Sequence, residues 1–267
     1  MNQRGVLSEL PRRLAVDQGL RQVLGRGNAQ IAVAQAGRAF FVAGVANLTD
    51  RSPIVVVTST MNEAEILAND LRIWLSKEDV EIFPAWETLP FERVSPATET
   101  MGRRLEVINK LHNGVAPRII VSPVRAILQR INPEIRDIQL LEFERGEKAD
   151  ISELSASLIA QGYRRELQVE GRGEFAVRGG IVDIFPPTST SPIRMDLWGD
   201  QIERLSEFAV SDQRSTADIE SITVTPAREL ALTIRVRERA QEPVSYTHLR
   251  AHETREDRGW GGVGGKK

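Results

Sequence analysis

Cysteine is absent from all 267 residues, which removes disulfides, thiolate nucleophiles and sulfur-ligated metal centres at once. Histidine is scarce: His112, His248 and His252 are the only three, and two of them fall in a carboxyl-terminal stretch that stands apart from the rest. A single remaining histidine builds neither a zinc site nor a hydrolytic triad. Lysine is missing from everything before Lys77. No apolar run reaches the ~20 residues that a membrane span needs, and residues 1–24 scatter Arg4, Arg12, Arg13 and Arg21 among apolar side chains, unlike a secretory signal. A strong charge of either sign is lacking too. With 35 basic against 37 acidic residues, the net charge of −2 supplies no field to draw the whole chain onto DNA or an anionic membrane. A soluble, cytoplasmic, monomeric protein is expected, with any nucleic-acid contact local.

What is present is an ordinary globular composition, 41% hydrophobic and 27% charged. Leu7, Leu10, Leu14, Leu20 and Leu24 recur at helical spacing, with Pro11 as a break or first turn. The valine-rich residues 53–58 read as a strand buried on both faces of a parallel sheet. Thr60 and Glu63 match a capping box, and Ala64, Leu67, Leu71 and Trp74 form the apolar stripe of the helix behind it. A second strand at 80–83, a helix carrying Met101, Leu105, Ile108 and Leu111, and a third strand at 118–121 complete a doubly wound α/β domain, residues 1–130, that ends near Asn132 and Pro133.

From there the pattern changes to alternation broken by Gly-Gly, Pro-Pro and Gly-Asp, which predicts a small α+β domain over residues 131–226. Ile193, Met195 and Leu197 alternate with Arg194, Asp196 and Trp198 before a tight turn at Gly199 and Asp200, and residues 150–160 supply a covering helix. Residues 227–240 read as the start of a truncated following segment. The stretch VSYTHLRAHET at 244–254 resembles the translation of a sequencing adaptor, so residues 241–267 are expected to be a disordered, artefactual tail.

An α/β opening raises the question of a phosphate-binding loop. The pattern G-x-x-x-x-G-K-[ST] is absent: Gly37 and Gly44 sit in the right region, within AQAGRAFFVAGVANLT, but no lysine is there to neutralise phosphates, so both read as turn or close-packing glycines. Glu63, Glu65, Asp70, Glu87, Glu92 and Glu99 read as solvated or helix-dipole carboxylates rather than acid–base pairs. Trp86 could stack on an unpaired base, but packing beneath its own loop beside Leu89 and Phe91 is the expectation, and Arg103 and Arg104 read as a solvated helix face. No catalytic residue, cofactor site or metal site is expected.

Two blocks carry a family resemblance. FPAWETLPFERVSPATETMGRRL, residues 83–105, resembles a block of the transcription-repair coupling factors (Mfd), and RGEFAVRGGIVDIFPPTSTSPIRMDLWGDQIERLSEFAVSDQRS, residues 172–215, is similar to the interaction domain that UvrB shares with them. The resemblance implies a degenerate P-loop-NTPase-like domain of UvrB type that has lost ATP binding, followed by a small α+β UvrB-interaction domain. It implies a non-catalytic fragment that recruits UvrA to stalled RNA polymerase in transcription-coupled nucleotide excision repair. The ATP-dependent translocase motor and the contacts to RNA polymerase and double-stranded DNA would lie in missing parts of the parent. Arg165 and Arg178 match arginines that face UvrA in such domains, and Arg164 and Phe185 are added as neighbours. A fragment of a UvrB-type helicase is the alternative, and it conflicts with the missing phosphate loop. On the bland alternative, Arg178 pairs with Glu174 or Asp183 within the sheet and Phe185 is core.

Overall fold

In the computed structural model, residues 10–24, 26–88, 95–131, 135 and 140–229 are described. The boundary at Asn132 and Pro133, the contacts of Trp86 with Leu89 and Phe91, the expected tail at 241–267 and all but residues 227–229 of the segment expected at 227–240 lie outside them. The described residues form one compact unit.

A 3-10 turn over Leu10–Val16, with Pro11 buried in it, leads into α1 (Gln18–Leu24). Helix α2 (Arg38–Leu48) packs on that turn so closely that a Cβ at Gly44 would lie 2.4 Å from Leu14 Cδ1. Gly44 is therefore a packing glycine, as its sequence setting suggests. Then come β1 (Ile54–Thr58), α3 (Met61–Trp74), β2 (Val80–Ile82), α4 (Thr98–His112), β3 (Ile119–Pro123) and the short α5 (Val124–Leu128). The three strands are parallel in the order β1-β3-β2. Helices α2 and α3 cover one face, where Ala43, Ala68, Leu71, Val80 and Val121 form the core, and α4 covers the other through Val107 against Phe83 and Ile120.

The capping box is real in outline. Thr60 Oγ1 accepts from the Glu63 N–H at 3.2 Å, while the Glu63 carboxylate accepts from the Ser59 N–H at 3.2 Å and from its hydroxyl. These Ser59 bonds hold the Glu63 carboxyl below its ordinary pKa, with Arg38 adding to the effect. Thr60→Ala is expected to cost about 1 kcal/mol, the usual worth of such a cap, read from the urea midpoint at constant m-value.

One strand assignment needs correction. β3 is buried along its whole length, but β1 is not buried on both faces: Val55 and Val57 are about half exposed. Among the described residues β1 pairs only with β3, so it is an edge strand, and α2 and α3 shield only the side of Ile54 and Val56. A valine-rich run looks the same at an edge as at a centre, because periodicity does not report the number of neighbours.

The second half begins with β4 (Leu141–Glu144) and α6 (Ile151–Ala160), whose N-cap Asp150 accepts from the Ser152 and Glu153 N–H groups at 2.8 and 3.0 Å. There follow β5 (Arg164–Arg165), β6 (Glu174–Arg178), β7 (Ile181–Ile184), β8 (Ile193–Trp198), β9 (Gln201–Phe208), β10 (Ser215–Ile219) and β11 (Ser221–Val224). Strands β10-β9-β8-β7-β6-β5 make one sheet, antiparallel except for the β5–β6 pair, and β11 pairs with β4. The inner face of the large sheet presents Phe175, Val182, Met195 and Leu205 to Leu154 and Leu158 of α6 and to the β4–β11 pair. Tyr163 closes this core, its hydroxyl donating to the Thr225 carbonyl at 2.6 Å, and burial raises its pKa.

Helix α4 joins the two halves. A Cβ at Gly102 would lie 2.3 Å from Pro187 Cβ, and one at Gly173 would lie 2.8 Å from the Thr98 methyl, so the helix seats directly on loops of the antiparallel half. Glycine at 102 is what allows that approach. No helix among the described residues is long and apolar enough to cross a membrane.

Candidate functional site

The outer face of the six-stranded sheet gathers most of the residues singled out from the sequence. Alternation turns Phe175 and Val177 of β6 inward and leaves Glu174, Ala176 and Arg178 outward. Register then lines Ala176, Asp183, Arg194 and Ser206 across four strands. Asp183 is fully buried, and both of its oxygens are engaged: Oδ1 accepts from Arg194 Nε at 2.7 Å, and Oδ2 accepts from Arg194 Nη2 at 2.9 Å and from Arg178 Nη2 at 2.5 Å. Arg194 is held further by the Gln213 carbonyl, at 2.9 Å, and by the Phe208 ring, 4.6 Å below its guanidinium. Its hydrogen bonds to Asp183 raise its pKa.

One carboxylate thus serves two guanidiniums, and it is the buried partner, while the Arg178 side chain is 44% exposed. A molecule approaching this spot meets cation rather than carboxylate. Arg178 pairs within the sheet, as the bland alternative has it, but with Asp183 rather than Glu174, and the pairing orients it without hiding it.

Glu174 is occupied elsewhere. It holds Arg164 Nη2 at 2.9 Å and accepts from the Glu170 and Gly171 N–H groups, so it shapes the loop before β6. Arg164 registers with Glu174 and stands on the outer face; Arg165 registers with Phe175, which turns its side chain toward the opposite side of the sheet edge. Arg165 is exposed and has no ion-pair partner among the described residues. Phe185 is only 7% exposed and packs with Val169, Ala176 and Phe208 as a small core on the outer face, with Arg172 stacked over its ring at 5.4 Å. An arginine does sit beside this ring, but it is Arg172, and the ring is buried.

The second constellation lies at the joint of the two halves, and here the reading of Arg103 and Arg104 as one solvated face is corrected. Arg103 does pair on the surface with Glu99, at 2.8 Å, but Arg104 has no exposed surface at all. Its Nε donates to Glu229, its Nη1 donates to the Pro84 carbonyl at 2.8 Å and to Gln129 Oε1 at 3.3 Å, and its guanidinium lies over the Phe83 and Trp86 rings at 4.3 and 5.1 Å. Trp86 Nε1 donates to the same Glu229 carboxylate at 3.0 Å. The next residue, Glu87, accepts from the Ala97 N–H and the Thr100 hydroxyl, filling the start of α4. Trp86 and Glu87 are therefore tied into the joint between the two halves. Sequence reasoning missed Glu229 and the parts played by Arg104 and Arg194, and it named Asp183 only as a possible partner of Arg178. The charge of Asp183 inside the apolar run IVDIF was a visible signal, whereas nothing local to Glu229 announced a partner 125 residues away.

Among the described residues no cluster of His, Asp and Glu is placed to hold a metal ion. Comparison with known proteins decides the ancestry. Residues 141–230 match the UvrB interaction domain, which spans the sheet just described. The chain is 37% identical over 238 residues to the transcription-repair-coupling factor of Mycobacterium tuberculosis, 34% over 210 residues to that of Bacillus subtilis, and 30% over 188 residues to that of Escherichia coli.

The chain belongs to the transcription-repair-coupling factor family.

These alignments cover 86%, 78% and 69% of this chain but only 19%, 18% and 16% of the relatives' own length. The chain thus spans about a fifth of a transcription-repair-coupling factor, and it carries that family's UvrB interaction domain.

Proposed function

We propose that this region of a transcription-repair-coupling factor is a docking module that recruits UvrA, and that the outer sheet face around Arg178 is where UvrA binds. The observation that carries this reading is the Arg178–Asp183–Arg194 cluster, in which a buried carboxylate pre-orients a half-exposed arginine inside the UvrB interaction domain. A guanidinium whose rotamer is already fixed loses less entropy on pairing with a partner carboxylate, and arginines of this kind are enriched among interface hot spots. Arg164 flanks the cluster on the outer face at the sheet edge, and the next residue, Arg165, is turned to the other side and has no ion-pair partner among the described residues.

In the whole protein the module would tie UvrA to a stalled RNA polymerase during transcription-coupled nucleotide excision repair in the cytoplasm. Contacts to polymerase and double-stranded DNA, and the ATP-driven motor, would belong to the remaining length of the longer relatives. The parallel α/β half reads as a UvrB-type nucleotide-binding domain that has lost its function: α2 follows its N-cap Gly37 without a lysine, and its first residue, Arg38, acts on the Glu63 carboxylate. No ATP turnover is expected from this chain.

Calorimetric titration of purified UvrA tests the docking reading. Wild type is expected to bind, and Arg165→Ala with Arg178→Ala to weaken binding by about 1–2 kcal/mol or more, as hot-spot arginines do. Unchanged affinity in the double variant would place the interface elsewhere.

A further inference from the structure

Trp198 is the one exposed aromatic side chain among the described residues, with 80% of its surface open at the tip of the β8–β9 hairpin. The alternation that buries Ile193, Met195 and Leu197 turns Trp198 to the same outer face as Arg194 and Asp196. Its neighbours bring it beside the arginine cluster. Leu197 N–H donates to the Gly180 carbonyl at 2.8 Å, and a Cβ at Gly180 would lie 2.6 Å from the Leu197 carbonyl, so β8 runs tight against the Gly179–Gly180 turn that follows Arg178. Arg178 on β6 stands level with Asp196 of β8 through Ile181, and Trp198 lies two residues further along β8, roughly 12 Å away for two strand spacings and a two-residue rise. On the far side Arg204, opposite Asp196, is held by Asp218 at 2.8 Å. A shallow cleft of about 260 Å³, lined by Trp198 with Arg145, Gly146, Gln201, Ile202 and Glu203, opens beside the indole and is wide enough for one side chain.

We infer that Trp198 and the cleft beside it are a second anchor of the same docking face, engaging an apolar side chain on the UvrA surface whose acidic group meets Arg178. This rests on the docking reading above and adds to it the apolar half of the contact. The argument is one of complementarity: in the Arg178–Asp183 pair the exposed charge is the Arg178 cation, its carboxylate lying buried beneath, and past the half-buried Asp196 the exposed surface is an aromatic ring that contributes little to the core. A partner that fits both must carry an acidic group next to an apolar one. Tryptophan and arginine are among the residue types enriched at interface hot spots.

The test titrates purified UvrA into the full chain carrying Trp198→Ala, Trp198→Phe or Arg178→Ala, with thermal unfolding measured on each. Because Trp198 is mostly solvent-exposed, Trp198→Ala is expected to leave the unfolding temperature within a degree or two of wild type while weakening UvrA binding at least tenfold. Trp198→Phe is expected to retain most of the affinity. Wild-type affinity in Trp198→Ala together with loss in Arg178→Ala would overturn the anchor and leave the docking reading standing. Wild-type affinity in both variants, or no binding by the wild-type chain, would overturn the two together.

Discussion

Arg104→Ala is expected to destabilise the protein by about 3–5 kcal/mol, the cost of removing one member of a buried ion pair and leaving the other uncompensated. The side chain has no exposed surface and Glu229 only 6%, so water does not replace the lost partner. The substitution also strips donors from the Pro84 carbonyl and Gln129, and removes the cation packed over Phe83 and Trp86. With a stability of about 5–15 kcal/mol typical of a domain, a loss of this size lowers the urea midpoint severely. Glu229→Gln is expected to cost less, because an amide still accepts from Arg104 and Trp86. The double variant Arg104→Met with Glu229→Met is expected to recover part of the loss, since apolar side chains of similar length remove both charges together. An Arg104→Ala variant with stability within about 1 kcal/mol of wild type would show that the Arg104–Glu229 pair does not hold the joint.

Asp183→Ala is expected to cost about 2–4 kcal/mol and to weaken UvrA binding as well. The figure sits below that for Arg104 because Arg178 is 44% exposed and can turn to water, where its charge is solvated. Arg194 cannot do so readily: it is 14% exposed and lies over Phe208, so most of the penalty falls there. The two effects separate by comparison with Arg178→Ala, which should lower affinity with little loss of stability. Equal stability losses in both variants, measured by urea unfolding, would show that Asp183 does not carry Arg194.

Much of this was readable in one dimension. The Thr60 cap follows from a serine, threonine or aspartate spacing that depends only on local hydrogen bonds, and the inward set Ile193, Met195 and Leu197 follows from the two-residue period of a strand. The second resemblance block, residues 172–215, lies within the matched UvrB interaction domain, residues 141–230. The site was less legible. Arg178, Arg164, Arg165 and Phe185 were all named from the sequence, yet sequence says nothing about which cation a carboxylate will choose, and it was Asp183 that gathered Arg178 and Arg194 while Arg172 took the ring of Phe185.

The sequence by itself determined the class of each half, the absence of a phosphate-binding lysine and the alternation that sorts the two faces of the sheet, because capping, periodicity and composition act over a few neighbouring residues. Only the tertiary structure decided that β1 is an edge, that Arg104 is buried while Arg103 is not, and that Glu229 closes the joint. Each of those depends on what arrives from far along the chain: a strand's number of partners, the glycine-lined approach of α4 to Pro187, and a carboxylate brought 125 residues to an arginine that would otherwise have no charge beside it.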